Sequence, residues 1–311
     1  MMTFTERESA CERMFEMNGP FWHVYTDGSI MSDLFSCEDD MKDALIALAV
    51  CAVLSDKIRI ITFELMNNHI HLILAGEYDD SMEFFKMFKR RLKHVFKMAG
   101  RVVDWNKFNA QILGIDTLKS LRNEIAYVHR NAYVSNRYYT PFTYLWGGGW
   151  TFFNPILNHL RTLSVRDIGA RKVRELTHYR DVAALSSLQF IGDIPFIPSF
   201  CHIELGQNMF HDARSYFCTL TKNVEVFSQI AANLKDTIFM TDEEMFAVAA
   251  MFAEEDYSTK LRLLTPDQKI SLAKKLHYEY NASNNQLRRI LNLKSELLGE
   301  MFPQILQSSK H

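Results

Sequence analysis

The chain lacks any long apolar run. Of its 311 residues, the longest unbroken apolar stretch is Ala44 to Leu54, well short of the roughly 18–20 residues of a membrane span. No membrane partner is expected. The opening "MMTFTERESACERMFEMNG" has neither the basic start nor the apolar middle of a signal peptide. Cysteine is scarce: Cys11, Cys37, Cys51, Cys201 and Cys218 are odd in number and contain no CxxC pair. That argues against a disulfide framework and fits a reduced, cytoplasmic setting. Charge of one sign is also missing. The net charge of −2 excludes a globally basic nucleic-acid binder but leaves local basic faces open. There is no internal repeat and no low-complexity segment.

What is present is globular. Hydrophobic residues make up 48% and charged residues 23%, enough for a sizeable core. The length suggests one large domain or, in preference, two. "FWHVYTDG" reads as a strand ending in an Asp-Gly turn. "CEDDMKDALIALAVCAVLSD" reads as a helix with an acidic first turn. "KIRIITFEL" and "HIHLILAG" read as strands joined by a short connection, as in an antiparallel hairpin. A helix over 79–98 and a strand-like "NAQILGI" follow. The order β-α-β-β-α-β is that of a ferredoxin-like α+β unit, one antiparallel sheet with helices on one face. A further helix spans about 117–134. The triple glycine in "YLWGGGW" suggests a domain boundary near residue 150. Residues 151–311 then read as mostly helical, with "FIGDIPFIPSF" as an irregular connector. Helices are expected at 213–234, 242–255, 266–280, 284–291 and 295–302.

In "FELMNNHIHLIL" (Phe63 to Leu74), His69 and His71 share one face of a strand, opposite Ile70, Leu72 and Leu74. Two imidazoles are a costly choice for a core face unless both find partners. They are either incidental or a pair of metal ligands, able to converge on one ion at a strand rise of roughly 3.3 Å per residue. In "LKSLRNEIAYVHRNAYV", Leu118, Leu121, Ile125, Val128 and Ala132 form an apolar stripe. Tyr127 lies off it, near Asn123, Glu124 and Asn131, the last at i+4. The phenol is either a surface tyrosine or a nucleophile with a metal ligand beside it.

"MNNHIHLIL" resembles the M-P-N-H-x-H-L signature of the HUH endonuclease superfamily, and "YVHRNAYV" resembles the Y-I-H-x-N-P-V segment of its single-tyrosine branch. That branch comprises the IS200/IS605-type transposases, and the likeness is greatest to the REP-associated tyrosine transposases. "LFSCEDDMKDAL" is similar to the segment after their first strand, and "YLWGGG" sits where they have Tyr-x-Trp-Ser-Ser. The resemblance covers about residues 15–150. It implies a catalytic Tyr127 and a Mg²⁺ or Mn²⁺ site formed by His69, His71 and Asn131. It further implies a homodimer that cuts single-stranded or hairpin DNA by transesterification, leaving a 5′-phosphotyrosine and a free 3′-OH. Two departures stand out: Asn67 and Ala132 occupy positions where the family has proline.

Lys86, Lys89, Arg90, Arg91, Lys93, Lys97 and Arg101 occur without an intervening acidic residue. Such a cluster suits DNA phosphates, although charge on a helix is often only a solvated face. "NNQLRRILNLKSELLGEMF" resembles a helix-turn-helix near 265–303, with Arg288 and Arg289 as phosphate contacts. A plain helical bundle is the alternative, since Glu296 and Glu300 suit a groove reader poorly. The expected function is a DNA transposase or endonuclease. The competing class is a catalytically silent DNA-binding regulator of the same fold. A small-molecule metallohydrolase is disfavoured by the lack of clustered carboxylates.

Overall fold

The computed structural model describes residues 3–28, 34–135, 142–221, 230, 240, 242–280 and 282–302. It opens with a helix not anticipated above, α1 (Phe4–Asn18), which begins at a Thr3–Glu6 capping box. Then come β1 (Phe21–Thr26), α2 (Glu38–Leu54), β2 (Arg59–Leu65), β3 (Ile70–Ala75), α3 (Tyr78–Met98) and β4 (Ala110–Ile115), in the expected β-α-β-β-α-β order. The strands form one four-stranded sheet in the order β2-β3-β1-β4. Each neighbouring pair is antiparallel. Strand β3 thus lies between β1 and β2 and splits their crossover.

All six residues of β3 are buried, so both faces of the sheet are covered. Trp22 and Val24 share a face with Leu74 and Leu72. That face meets α3, because the Trp22 and Tyr78 rings lie 5.3 Å apart. The other face carries His23, His71 and Ile73 and is covered by α4 (Leu118–Ser135), which touches β2, β3 and β4. Helices on one face only was therefore too simple. The histidine face carries polar groups that need partners when buried, and α4 supplies them. Leu121, Ile125 and Val128 are fully buried, and so nearly are Glu124, Tyr127, His129 and Arg130. From the polar side of α4, Glu124 and Tyr127 reach His23 and His71 on the sheet.

The triple glycine does not sit at a boundary. Trp146 to Gly148 run along the free edge of β2, where Leu65 N–H donates to Trp146 O at 2.9 Å and Gly148 N–H to Phe63 O at 2.8 Å. A Cβ on Gly147 would meet Glu64 Oε2 at 2.5 Å, and one on Gly148 would meet Thr62 Oγ1 at 2.3 Å. The segment blunts an exposed sheet edge, and only glycine leaves room for the two side chains beneath it.

Beyond it, β5 (Leu163–Ser164), β6 (Gln189–Ile191) and β7 (Ile194–Pro195) form a small second sheet, so the expected connector "FIGDIPFIPSF" is in part a hairpin. Helices α5 (Val165–Ile168), α6 (Ala170–Thr177), α7 (Ile203–Gln207) and α8 (Ala213–Thr221) complete this region. Helix α2 contacts β2, α3, α6 and β7, which accounts for its apolar run. Apart from Ile230, which is buried, the remainder of the helix expected over 213–234 lies outside the described residues.

The chain divides into two compact units, residues 1–236 and 237–311, so the boundary expected near 150 falls inside the first. The second unit holds helices Asp242–Tyr257, Pro266–Tyr280, Asn284–Leu291 and Ser295–Met301, close to the expected spans. Asn292 makes the turn between the last two in a left-handed conformation, φ 51°. Among the described residues no helix is long and apolar enough to cross a membrane.

Candidate metal centre

The β2–β3 hairpin presents the histidines. Met66 N–H donates to His69 O at 2.8 Å, closing the turn. Asn67 O accepts from Leu34 and Phe35 N–H, each at 2.8 Å, and ties the turn to the chain after β1. A proline at 67 would offer the same carbonyl, so this departure removes no anchoring acceptor. Asn68 Nδ2 donates to Gly28 O at 2.8 Å. That bond orients the amide, so its Oδ1 faces His69 Nδ1 at 2.7 Å. A Cβ on Gly28 would lie 2.8 Å from His69 Nδ1, so glycine permits the close approach.

The His69 and His71 rings are 4.8 Å apart, centroid to centroid, and nearly perpendicular. Tyr127 of the same chain comes to 5.7 Å from His71, again perpendicular. The structure thus brings three of the four expected site residues together within one chain. The fourth, Asn131, is buried on α4 one turn beyond Tyr127, and its Nδ2 has no hydrogen-bond partner among the described residues. Such an amide is unsatisfied as it stands. Two imidazoles suit several transition metals, and the amide oxygen adds a donor of the kind that Mn²⁺ and Mg²⁺ take. Tyr127 is only 5% exposed and His69 6%, so the site is enclosed.

Two residues at this site were not anticipated. His23 Nε2 lies 2.9 Å from His71 Nδ1, and His23 Nδ1 lies 2.8 Å from Glu124 Oε2. The signal for them was a histidine alternating with Phe21 and Tyr25 on a strand, and a carboxylate three residues before Tyr127.

A separate buried network adjoins the site. His129 Nε2 meets Thr62 Oγ1 at 2.6 Å, and His129 Nδ1 meets Tyr216 OH at 2.8 Å. Burial pushes the His129 pKa down to about 3. Burial also raises the Tyr216 phenol well above its ordinary value, with nearby Glu64 adding to it. A further group of ligand-type atoms, on Glu8, Cys11 and His211, lies within 4.8 Å of one another. The Arg122 guanidinium already engages both Glu8 oxygens, at 2.9 and 2.8 Å, so a cation is in place there.

The basic residues of α3 sit across the sheet from the histidines and, with Arg101 just past its end, fall into two groups. Arg91 donates to Thr177 O and stacks over Tyr179, and Arg101 pairs with Asp40 at 2.7 Å. Lys86 pairs with Glu83 at 2.6 Å, and Lys89 donates to Asn109 Oδ1 at 3.0 Å. Arg90, Lys93 and Lys97 are exposed. In the second unit Arg289 is held by Asp242 at 2.6 and 2.9 Å, while Arg288 is exposed.

Comparison with protein-family models, curated proteins and solved structures yields no match for this chain. Its own residues therefore carry the functional reading.

Proposed function

We propose that this chain is a metal-dependent DNA transposase or endonuclease of the single-tyrosine HUH type, on a ferredoxin-like scaffold. The observation that carries this reading is the meeting of His69, His71 and Tyr127 in one buried cluster, with ring separations of 4.8 and 5.7 Å. His69, His71 and Asn131 would hold Mg²⁺ or Mn²⁺. When bound, that ion polarises the scissile phosphate and orients it for in-line attack. Tyr127 supplies the nucleophile. Its oxygen gives up the phenol proton and bonds to phosphorus as the P–O3′ bond breaks, and the departing 3′-oxygen takes up a proton, so none is gained or lost overall. The product is a 5′-phosphotyrosine and a free 3′-OH. A phosphodiester is exchanged for a phosphodiester, so attack by another 3′-OH rejoins DNA without an external energy source.

Of the basic residues on α3 and of the Arg288–Arg289 pair, Arg90, Lys93, Lys97 and Arg288 are the ones left open to DNA phosphates. Because the α3 residues lie across the sheet from His71, their role is to hold flanking DNA rather than the reacting phosphate. The reading also includes a cytoplasmic homodimer. A DNA-binding regulator of the same fold is the second reading, favoured by the burial of Tyr127 and His69.

One assay separates them. The protein is incubated with Mn²⁺ and labelled single-stranded hairpin DNA and examined for an SDS-resistant adduct. Adduct with wild type, and none with Tyr127→Phe or His71→Ala, is expected. Tight hairpin binding with no adduct under any metal would sink the nuclease and favour the regulator.

A further inference from the structure

His23 and Glu124 lie outside the ligand set above and take no part in that chemistry, yet both are buried, at 0% and 5% exposure. Together with His71 they form a line from helix to strand to strand. Glu124 Oε2 is 2.8 Å from His23 Nδ1, and His23 Nε2 is 2.9 Å from His71 Nδ1. The line has a direction. Carboxylate oxygens only accept, so the proton between Glu124 and His23 sits on His23 Nδ1. In that Nδ1–H tautomer His23 has its lone pair on Nε2 and accepts from His71 Nδ1–H. That leaves the His71 lone pair on Nε2. Without a carboxylate at its end, the same line could run the other way with equal hydrogen bonding and place a proton on His71 Nε2.

His69 reaches the same state by a separate route. Asn68 Nδ2 is committed to Gly28 O, so its oxygen accepts from His69 Nδ1–H. The two imidazoles are thus held in one tautomer by two unrelated partners. Core packing has no use for such a match, whereas a cation requires it of both rings.

We propose that Glu124 and His23 are positioning residues that hold His71 as its Nδ1–H tautomer, keeping Nε2 free of a proton to receive a divalent cation. The proposal rests on the reading of His69 and His71 as metal ligands. Glu124 acts through His23, and neither residue touches DNA or the metal.

The test uses the full-length, metal-free protein labelled with ¹⁵N-histidine, with the His71 signals assigned by loss in His71→Gln. Long-range ¹H–¹⁵N correlation reads the tautomer directly, and the wild-type measurement needs no folded variant. His71 is expected as Nδ1–H. Glu124→Gln keeps the shape but offers both a donor and an acceptor. It is expected to move His71 toward mixed tautomers and to weaken Mn²⁺ binding by about 10-fold or more, the usual effect of losing an outer-shell partner. His71 found as Nε2–H in wild type would overturn the proposal. So would a Glu124→Gln protein with wild-type tautomer and Mn²⁺ affinity, provided wild type binds Mn²⁺ through His69 and His71; the metal reading would then survive. Wild type with His71 as Nδ1–H but no Mn²⁺ binding would instead remove the metal reading and the proposal with it.

Discussion

Ala132 N–H donates to Glu64 Oε1 at 3.2 Å, joining the interior of α4 to the edge strand of the sheet. Ala132 stands where the resembling family has proline, which has no N–H to give. The helix here continues to Ser135. Ala132→Pro should therefore cost about 3 kcal/mol or more, from the lost donor and the clash within the helix. Urea denaturation measures it, and unchanged stability would show that this bond does not hold α4 in place.

Burial raises the Glu64 pKa well above 4.5, only partly offset by the Ala132 bond. The folded state thus holds its proton more tightly than the unfolded state. The resulting stability is present below about pH 4.5 and is lost as pH rises through the folded pKa. Glu64→Gln should match wild type near pH 4 and exceed it progressively at higher pH in denaturant titrations. A constant difference across pH would refute the assignment.

His129 has the opposite dependence. Its pKa is pushed down from 6.5 to about 3 by burial, so it folds neutral. Its contribution is complete above pH 6.5 and is lost as pH falls toward 3, on the order of 5 kcal/mol over the full range. His129→Gln should be less stable than wild type at pH 7 and lose less on acidification to pH 4. Parallel pH–stability curves for the two proteins would rule this out.

Gly148→Ala brings a methyl group to 2.3 Å from Thr62 Oγ1, which is already committed to His129. The expected cost is about 1–3 kcal/mol, as for overpacking elsewhere. Gly299→Ala is the contrast: its Cβ meets nothing within 4 Å, and it lies in the helix Ser295–Met301. It should be neutral or stabilising by up to about 1 kcal/mol. Thermal unfolding of the pair decides whether the triple glycine is required or incidental.

The basic residues of α3 should separate by role. Arg91→Ala removes the contacts to Thr177 and Tyr179 and should lower stability. The triple change of Arg90, Lys93 and Lys97 to Ala should leave stability nearly unchanged. It should reduce the salt dependence of hairpin DNA binding by roughly three phosphate contacts. Equal DNA binding by this triple variant across salt concentrations would show the face to be merely solvated.

The order of strands and helices was legible because period-2 and period-3.6 patterns are local. The hairpin, the face shared by His69 and His71, and the i+4 relation of Tyr127 to Asn131 followed from them. Local pattern does not say what a face packs against. Asn123, Glu124, Tyr127 and Asn131 read only as a polar helix side, with nothing to say what lies against it. Only the packing of α4 on the sheet made much of that side an interior, where Glu124 pairs with His23 and the Tyr127 ring meets His71. The triple glycine looked like a linker for the same reason: its need for small residues comes from Thr62 and Glu64, more than eighty positions away in the chain. Which lysines and arginines are free was likewise settled by distant residues such as Thr177 and Asp242. By itself the sequence determined which groups are available and their spacing along each element. The tertiary structure decided which of them meet, because burial forces polar side chains to be paired across the fold.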